Sequence, residues 1–346
     1  MARVTPVQLR KAEHLKINLE EDVQSGLSTG LEAYRFEHQA LPELNHGQVD
    51  TKLTIFGRSL AGPLLISSMT GGTPRAGLIN RRLAEAAQLT GIAIGVGSQR
   101  AALEHPTQAA SFQVRRYAPD ALLFANVGAV QLNYGYDVGE CRRAVDMIDA
   151  DALVLHLNPL QEALQRGGNT DFKGLARRIE RVCGGIGVPV IAKEVGWGIS
   201  SRTAKLLANC GVSAIDVAGA GGTSWSQVEM HRATDEFSRQ LAATFVSWGI
   251  PTARSIAAVR KAAPHVMVFA SGGLRDGVDV AKCLNLGATL GGMAGHFLKA
   301  AAISTDRAVD AIRLVLKQLQ VTMFAAGAED LRALRALQMR EDAGPA

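Results

Sequence analysis

The chain of 346 residues has few aromatic side chains, at 5%. Single strands of nucleic acid are gripped by stacking on aromatic rings, so that ligand class is poorly served here. Basic residues are scattered and form no block. The net charge of +5 therefore suits a small anion and not a polynucleotide. No run of eighteen apolar residues occurs, and the opening MARVTPVQLRKAEHLK lacks the apolar centre of a secretory signal. The expectations are no membrane insertion and a cytoplasmic location. The four cysteines, Cys141, Cys183, Cys210 and Cys283, form no C-x-x-C pair, the pattern of free thiols in a reducing compartment. No Pro-, Gly- or Ser-rich linker divides the chain, so a single domain over 1–346 is expected. Glycine, by contrast, is plentiful at 36 residues.

What is present is a repeat of short apolar runs separated by helical patterns. Strands are predicted at 63–67, 92–96, 122–126, 152–156, 189–193, 214–218, 266–270 and 288–293. Most are continuous hydrophobic stretches, as parallel strands covered on both faces require. Helices are predicted at 80–90, 200–211 and 276–287, the last two ending at glycine. Eight strands alternating with helices predict an α/β fold, a (β/α)8 TIM barrel, with a doubly wound sheet as the structural rival. Residues 1–62 form an N-terminal extension holding the basic LRKAEHLK. Residues 300–346 read as one or two amphipathic helices ending in a frayed EDAGPA.

A barrel does its chemistry at the carboxyl ends of its strands, and there the polar residues gather. The first strand exits into Ser68, Met69 and Thr70, the second into Ser98, Gln99 and Arg100, and the third offers Asn126. The fourth carries His156, Asn158, Gln161 and Glu162, and the fifth Lys193. The sixth exit, GAGGTSW, contains Thr223. Gly272, Gly273 and Leu274 after strand seven, with Ala294 and Gly295 after strand eight, make the place where barrels bind phosphate through backbone N–H groups. The rest of the rim suits a flat heterocycle: neutral donors at Ser98 and Asn126, and a cation at Lys193. FMN fits these parts. A Rossmann dinucleotide site is not supported, because no G-x-G-x-x-G occurs there.

FMN leaves cations over. Arg10, Lys11 and His14 share one helical face and, with Arg100 and His156 on the rim, suit a diphosphate. Glu162 beside Asn158 and Gln161 offers a hard oxygen to Mg²⁺, which typically takes one or two carboxylates plus substrate phosphates.

The segments RKAEH, SSMTGG, GVGSQR, HLNPLQE, AKEVG, AGAGGTSW and GMAG together resemble the type 2 isopentenyl-diphosphate isomerases, in order and at compatible spacing from about residue 8 to 298. The resemblance implies an FMN-dependent barrel that interconverts isopentenyl and dimethylallyl diphosphate, with Mg²⁺, NADPH as flavin reductant, and a homo-oligomer, tetramer or octamer. It implies substrate contacts at Arg10, Lys11, Ser98, Gln99, Arg100 and Gln161. FMN contacts are implied at Ser68 to Thr70, Ser98, Asn126, Lys193, Thr223, Gly272 to Leu274, Ala294 and Gly295. Glu162 is implied as the metal ligand. The rim shows no pair of carboxylates dedicated to proton transfer, so reduced FMN is expected to act as acid and base with no net redox change. Lys193, Gln161 and His156 would attend it, and Glu229 is a weaker candidate for the return proton. The rival readings are an FMN-dependent oxidoreductase of the 2-hydroxy acid oxidase type and a non-catalytic phosphate-ligand binder.

Overall fold

The computed structural model describes residues 6–341. Residues 342–346, most of the EDAGPA tail, lie outside the described residues, as do 1–5. Eight parallel strands close into a barrel: β1 Leu64–Ile66, β2 Ala93–Gly95, β3 Leu123–Gly128, β4 Ala152–Leu157, β5 Val190–Glu194, β6 Ala214–Asp216, β7 Met267–Ala270 and β8 Leu290–Met293. Each falls within a residue or two of its predicted run. The doubly wound alternative is removed by closure, since β8 pairs with β1 through Gly291↔Leu64 and Met293↔Ile66.

The barrel interior is filled from its amino-terminal end. Leu65, Phe124, Val154, Ile191 and Phe269 form one apolar cluster with Ile55 and Leu60. The latter two belong to a hairpin, Leu53–Ile55 with Arg58–Leu60, whose turn residues Phe56 and Gly57 both have positive φ, as a tight two-residue hairpin turn demands. Phe56 meets Phe124 edge-on at 6.4 Å. With that end plugged, only the carboxyl end is left to hold a ligand.

Helices cover the outside. Helix α1 is Pro6–Glu20, and α2 is Pro74–Thr90, starting six residues before the predicted 80. Its true start is written in Thr73-Pro74: the threonine side chain accepts from the Ala76 N–H, and proline occupies the first turn. Helices α3 Pro159–Leu164, α4 Trp225–Arg232, α5 Gly277–Asn285, α6 Gly295–Ile303 and α7 Thr305–Ala325 follow. The C-terminal region is helical as expected, but it also ends in a strand, Met339–Glu341, antiparallel to Tyr34–Phe36 of the N-terminal extension. Among the described residues no helix is long and apolar enough to cross a membrane.

Helices α5 and α7 touch at Gly277, where a Cβ would lie 2.3 Å from the Leu319 nitrogen and 2.4 Å from the Val315 oxygen. Backbone cannot yield as a side chain does. Gly277→Ala is expected to lower stability by about 1–3 kcal/mol, the usual cost of overpacking, seen as a shifted urea midpoint. Gly184→Ala, where a Cβ meets nothing within 4 Å, is expected to be neutral or mildly stabilising in the same assay.

Candidate active site

A cavity of about 560 Å³ opens at the carboxyl ends of the strands. Every residue expected to bind substrate, cofactor or metal lines it except Gln99. Gln99 is fully buried in the wall: its amide donates to the Ala144 carbonyl at 2.8 Å and accepts from the Asn126 N–H at 2.9 Å. Its side chain fixes the β3 tip and does not line the cavity.

One side of the cavity is a backbone cradle. Gly272 and Gly273 have φ of 102° and 81°, and a Cβ on Gly273 would lie 2.4 Å from the Gly221 oxygen. Glycine is required by both conformation and contact. Helix α6 starts beside this cradle with no side-chain cap, and a Cβ on its first residue, Gly295, would enter open space. Its first N–H groups are thus free for an anion. Nearby, the buried Ser67 hydroxyl has no partner. A buried polar atom facing a cavity calls for a ligand atom.

The strand tips put three titratable side chains at one level, because the register pairs His156 with Lys193 and Lys193 with Asp216. Lys193 Nζ donates to the Glu194 carbonyl at 2.8 Å and lies 3.6 Å from Asp216 Oδ2. Asp216, 1% exposed, accepts at 2.6 Å from the Ser271 hydroxyl. Nothing in the sequence marked Asp216, since it sits inside the apolar run AIDVA. His156 Nδ1 donates to Asn126 Oδ1 at 2.8 Å. Burial, then the charges of Lys193 and Lys11, push its pKa down to about 4. His156 is consequently neutral near pH 7 and is not one of the cations expected for a diphosphate.

The opposite side is built from α1, α3 and α4. Arg10 is half-buried and feels the charges of Glu162, Arg100 and Arg232, and desolvation is the largest cause lowering its pKa from the ordinary value. Lys11 Nζ donates to the Ser98 carbonyl at 2.6 Å and lies 4.9 Å from the Phe112 ring centre. Burial, then the charges of Arg10 and Arg100, bring its pKa down to about 7. His14 lines the cavity but is tied to its wall. Burial lowers its pKa, and its Nε2 bonds to Glu229 Oε1 at 3.0 Å, so it is a neutral latch rather than a ligand cation. Arg10, Lys11 and Arg100 remain as the cations.

A hydrogen-bond chain joins these parts. Glu229 Oε1 also accepts from Gln161 Nε2 at 3.3 Å; Gln161 Oε1 accepts from Asn158 Nδ2 at 3.1 Å; the same Asn158 nitrogen donates to Glu162 Oε1 at 3.0 Å. Glu162 Oε2 accepts from the Asn169 N–H at 2.6 Å, and Asn169 Oδ1 accepts from Arg100 at 2.8 Å. Glu229 is not on the cavity wall. Burial would raise its pKa, but hydrogen bonds and charge from His14 and Arg232 outweigh that and hold it low. It is an anchor and not a poised acid. Asn169 and Gln131, whose amide donates to Asn169 at 3.2 Å, carried no motif. Asn158 Oδ1 is buried and unpartnered, a second acceptor open to a ligand donor.

Among the described residues no cluster of three His, Cys, Asp or Glu side chains forms a metal cage. Glu162 offers one carboxylate. All four cysteines are free and lie on the helical layer, off the strand tips, with Cys141 and Cys183 pushed up by burial. His231 bonds to the Asp22 carbonyl, and Arg232 is held by Glu13 and Glu229.

A phosphate cradle and a polar seat at the mouth of a parallel barrel are the features of a flavin-dependent class. Residues 158–341 match the family model described as FMN-dependent dehydrogenase. Solved mandelate oxidase structures share the fold. One, a mutant with benzaldehyde, has a TM-score of 0.69 at 19% identity, covering 96% of this chain and 95% of that one. Closer in sequence is an isopentenyl-diphosphate delta-isomerase of Nostoc sp., 53% identical over 329 residues, 95% of this chain and 94% of the relative. That of Synechocystis sp. is 54% identical over 326 residues, 94% of this chain and 93% of the relative. The chain belongs to the isopentenyl-diphosphate delta-isomerase family. The cradle, the unpartnered Ser67 hydroxyl and Lys193 fit FMN.

Lys11 gives the site a pH signature. Above about pH 7 its amine is neutral in the empty site, so binding an anion there must take up a proton. The affinity for inorganic pyrophosphate is expected to fall up to about tenfold per pH unit above that point. Lys11→Met should bind weakly at pH 6 and lose this part of the pH dependence. Calorimetry in buffers of different ionisation enthalpy measures the proton uptake directly.

Proposed function

We propose that this protein interconverts isopentenyl and dimethylallyl diphosphate, with FMN in the cradle, Mg²⁺ at Glu162 and NADPH as the flavin reductant. The observation that carries the proposal is the pairing, within one cavity, of a backbone phosphate cradle with a separate cation cluster of Arg10, Lys11 and Arg100. One anionic subsite suits the cofactor, and the other suits a diphosphate tail.

Moving a double bond by one carbon adds a proton at one carbon and removes one at another. The protein's own groups are poorly set for this. His156 and His14 are neutral near pH 7, and Glu229 is held as a carboxylate. Bound reduced FMN supplies the acid and base, with no net redox change. Arg10, Lys11 and Arg100 hold the tail at the opposite wall, Arg by paired N–H donors and Lys as a point charge. Glu162, oriented by Asn158 and the Asn169 N–H, would hold a Mg²⁺, which would neutralise charge on the diphosphate. Gln161, fixed between Glu229 and Asn158, orients the substrate. Lys193, which lines the same cavity, would offer a positive charge to the reduced ring. A cytoplasmic homo-oligomer, tetramer or octamer, belongs to the same reading.

The decisive experiment is the proton spectrum of the alkene formed in deuterated water by reduced enzyme. Deuterium at the shifted position without stoichiometric consumption of reductant is expected; oxidised product, or equal turnover without FMN, overturns the reading. Glu162→Gln is expected to raise the Mg²⁺ concentration needed for half-maximal rate by about tenfold or more and to leave FMN binding intact.

A further inference from the structure

We propose that Phe112 is a positioning residue for diphosphate binding: its buried ring seats the Lys11 ammonium in the cavity. This rests on the diphosphate reading above and goes beyond it, because Phe112 has no polar side-chain atom and lies outside the cavity wall.

Lys11 Nζ stands 4.9 Å from the centre of the Phe112 ring. The face of an aromatic ring attracts a cation within about 6 Å of its centre, more strongly where water is excluded. Phe112 is fully buried. Among the described residues Lys11 pairs with no carboxylate, and its Nζ has one hydrogen bond, to the Ser98 carbonyl at 2.6 Å. The charges it feels are Arg10 on its own helix, and Arg100 and Glu104 on the short helix Arg100–Glu104 after β2. Both arginines repel it, and Glu104 is committed to Arg100 at 2.7 Å. His14 on α1 and His156 at the β4 tip are neutral near pH 7 and supply no counter-charge. The ring and one carbonyl are what hold this cation.

The loop after β1 makes room for the seat with two adjacent glycines. A Cβ on Gly71 would overlap the Phe112 ring, and one on Gly72 would lie 3.1 Å from Lys11 Cδ. The same loop is bonded to the residue before the ring. The Gly72 N–H donates to the Ser111 hydroxyl at 2.8 Å. The buried Asn80 amide donates to the Thr70 and Ser111 carbonyls at 3.1 and 3.0 Å. Loop, ring and lysine stem are therefore fixed together.

The ring favours the protonated lysine over the neutral amine. In the empty site Lys11 loses its proton near pH 7, so a weaker ring lowers the pH above which anion binding must take up a proton. The test is calorimetry of inorganic pyrophosphate on the FMN-loaded protein, with Phe112 replaced site-specifically by phenylalanine carrying one, two or three ring fluorines. Fluorine draws charge from the ring face and barely alters its size. We expect affinity at pH 8 to fall stepwise, by up to about tenfold at three fluorines, and at pH 6 to stay within about twofold. In the Lys11→Met background the fluorines are expected to change nothing. A merely structural role for Phe112 would give the same change at both pH values and in both backgrounds. Affinity at pH 8 that ignores fluorine or rises with it, or a fluorine dependence that survives Lys11→Met, overturns the proposal. Phe112→Leu, which removes the ring, is expected to bind at pH 8 as weakly as the trifluorinated protein, and wild-type binding there overturns the proposal too. Should the leucine variant not fold, the fluorine series decides alone. Equal pyrophosphate affinity in wild type and Lys11→Met overturns the diphosphate reading as well, which separates the two failures.

Discussion

The carboxylate of Glu229 is the tie on which the cationic side of the site depends. Its side chain is 3% exposed, yet it stays charged because three elements bring donors to it: His14 from α1, Gln161 from α3 and Arg232 from its own helix α4. Removing one partner of such a buried charge typically costs about 3–5 kcal/mol. The consequences run outward along the hydrogen bonds. Through His14 the carboxylate fixes the helix that carries Arg10 and Lys11. Through Gln161 and Asn158 it orients Glu162, and Glu162 in turn orders Asn169 and thereby Arg100. Three cations and one carboxylate are thus positioned by one buried anion that does not line the cavity.

The cofactor side depends on backbone instead. Parallel strands in register deliver His156, Lys193 and Asp216 to a single level. Glycines let the loops after β6 and β7 approach one another more closely than any side chain would allow. The two halves solve different problems. Side chains give the wall beside α1 its charge, and main chain gives the cradle its shape.

The barrel was legible because continuous apolar runs alternating with helical periods admit few folds, and its rim was legible because polar residues cluster just past each run. What stayed hidden follows from geometry that sequence does not carry. Asp216 sits inside an apolar run, and only strand register turns it toward Lys193. Gln99 lies among rim residues, but its side chain turns into the wall. His14 and His156 read as cations by type, whereas burial makes both neutral. The pairing of Tyr34–Phe36 with Met339–Glu341 joins segments some three hundred residues apart, beyond the reach of any local pattern.

Closure of the barrel has a consequence for synthesis. Strand β1 waits for β8, more than two hundred residues later, before its second edge is covered. The cradle glycines 272, 273 and 295 straddle that last strand. While the ribosome is still extending the chain toward residue 295, no complete phosphate seat exists for a nucleotide to enter. Flavin capture is therefore a late event, and an arrested nascent chain leaves β1 with an open sheet edge, the kind of surface that chaperones shield.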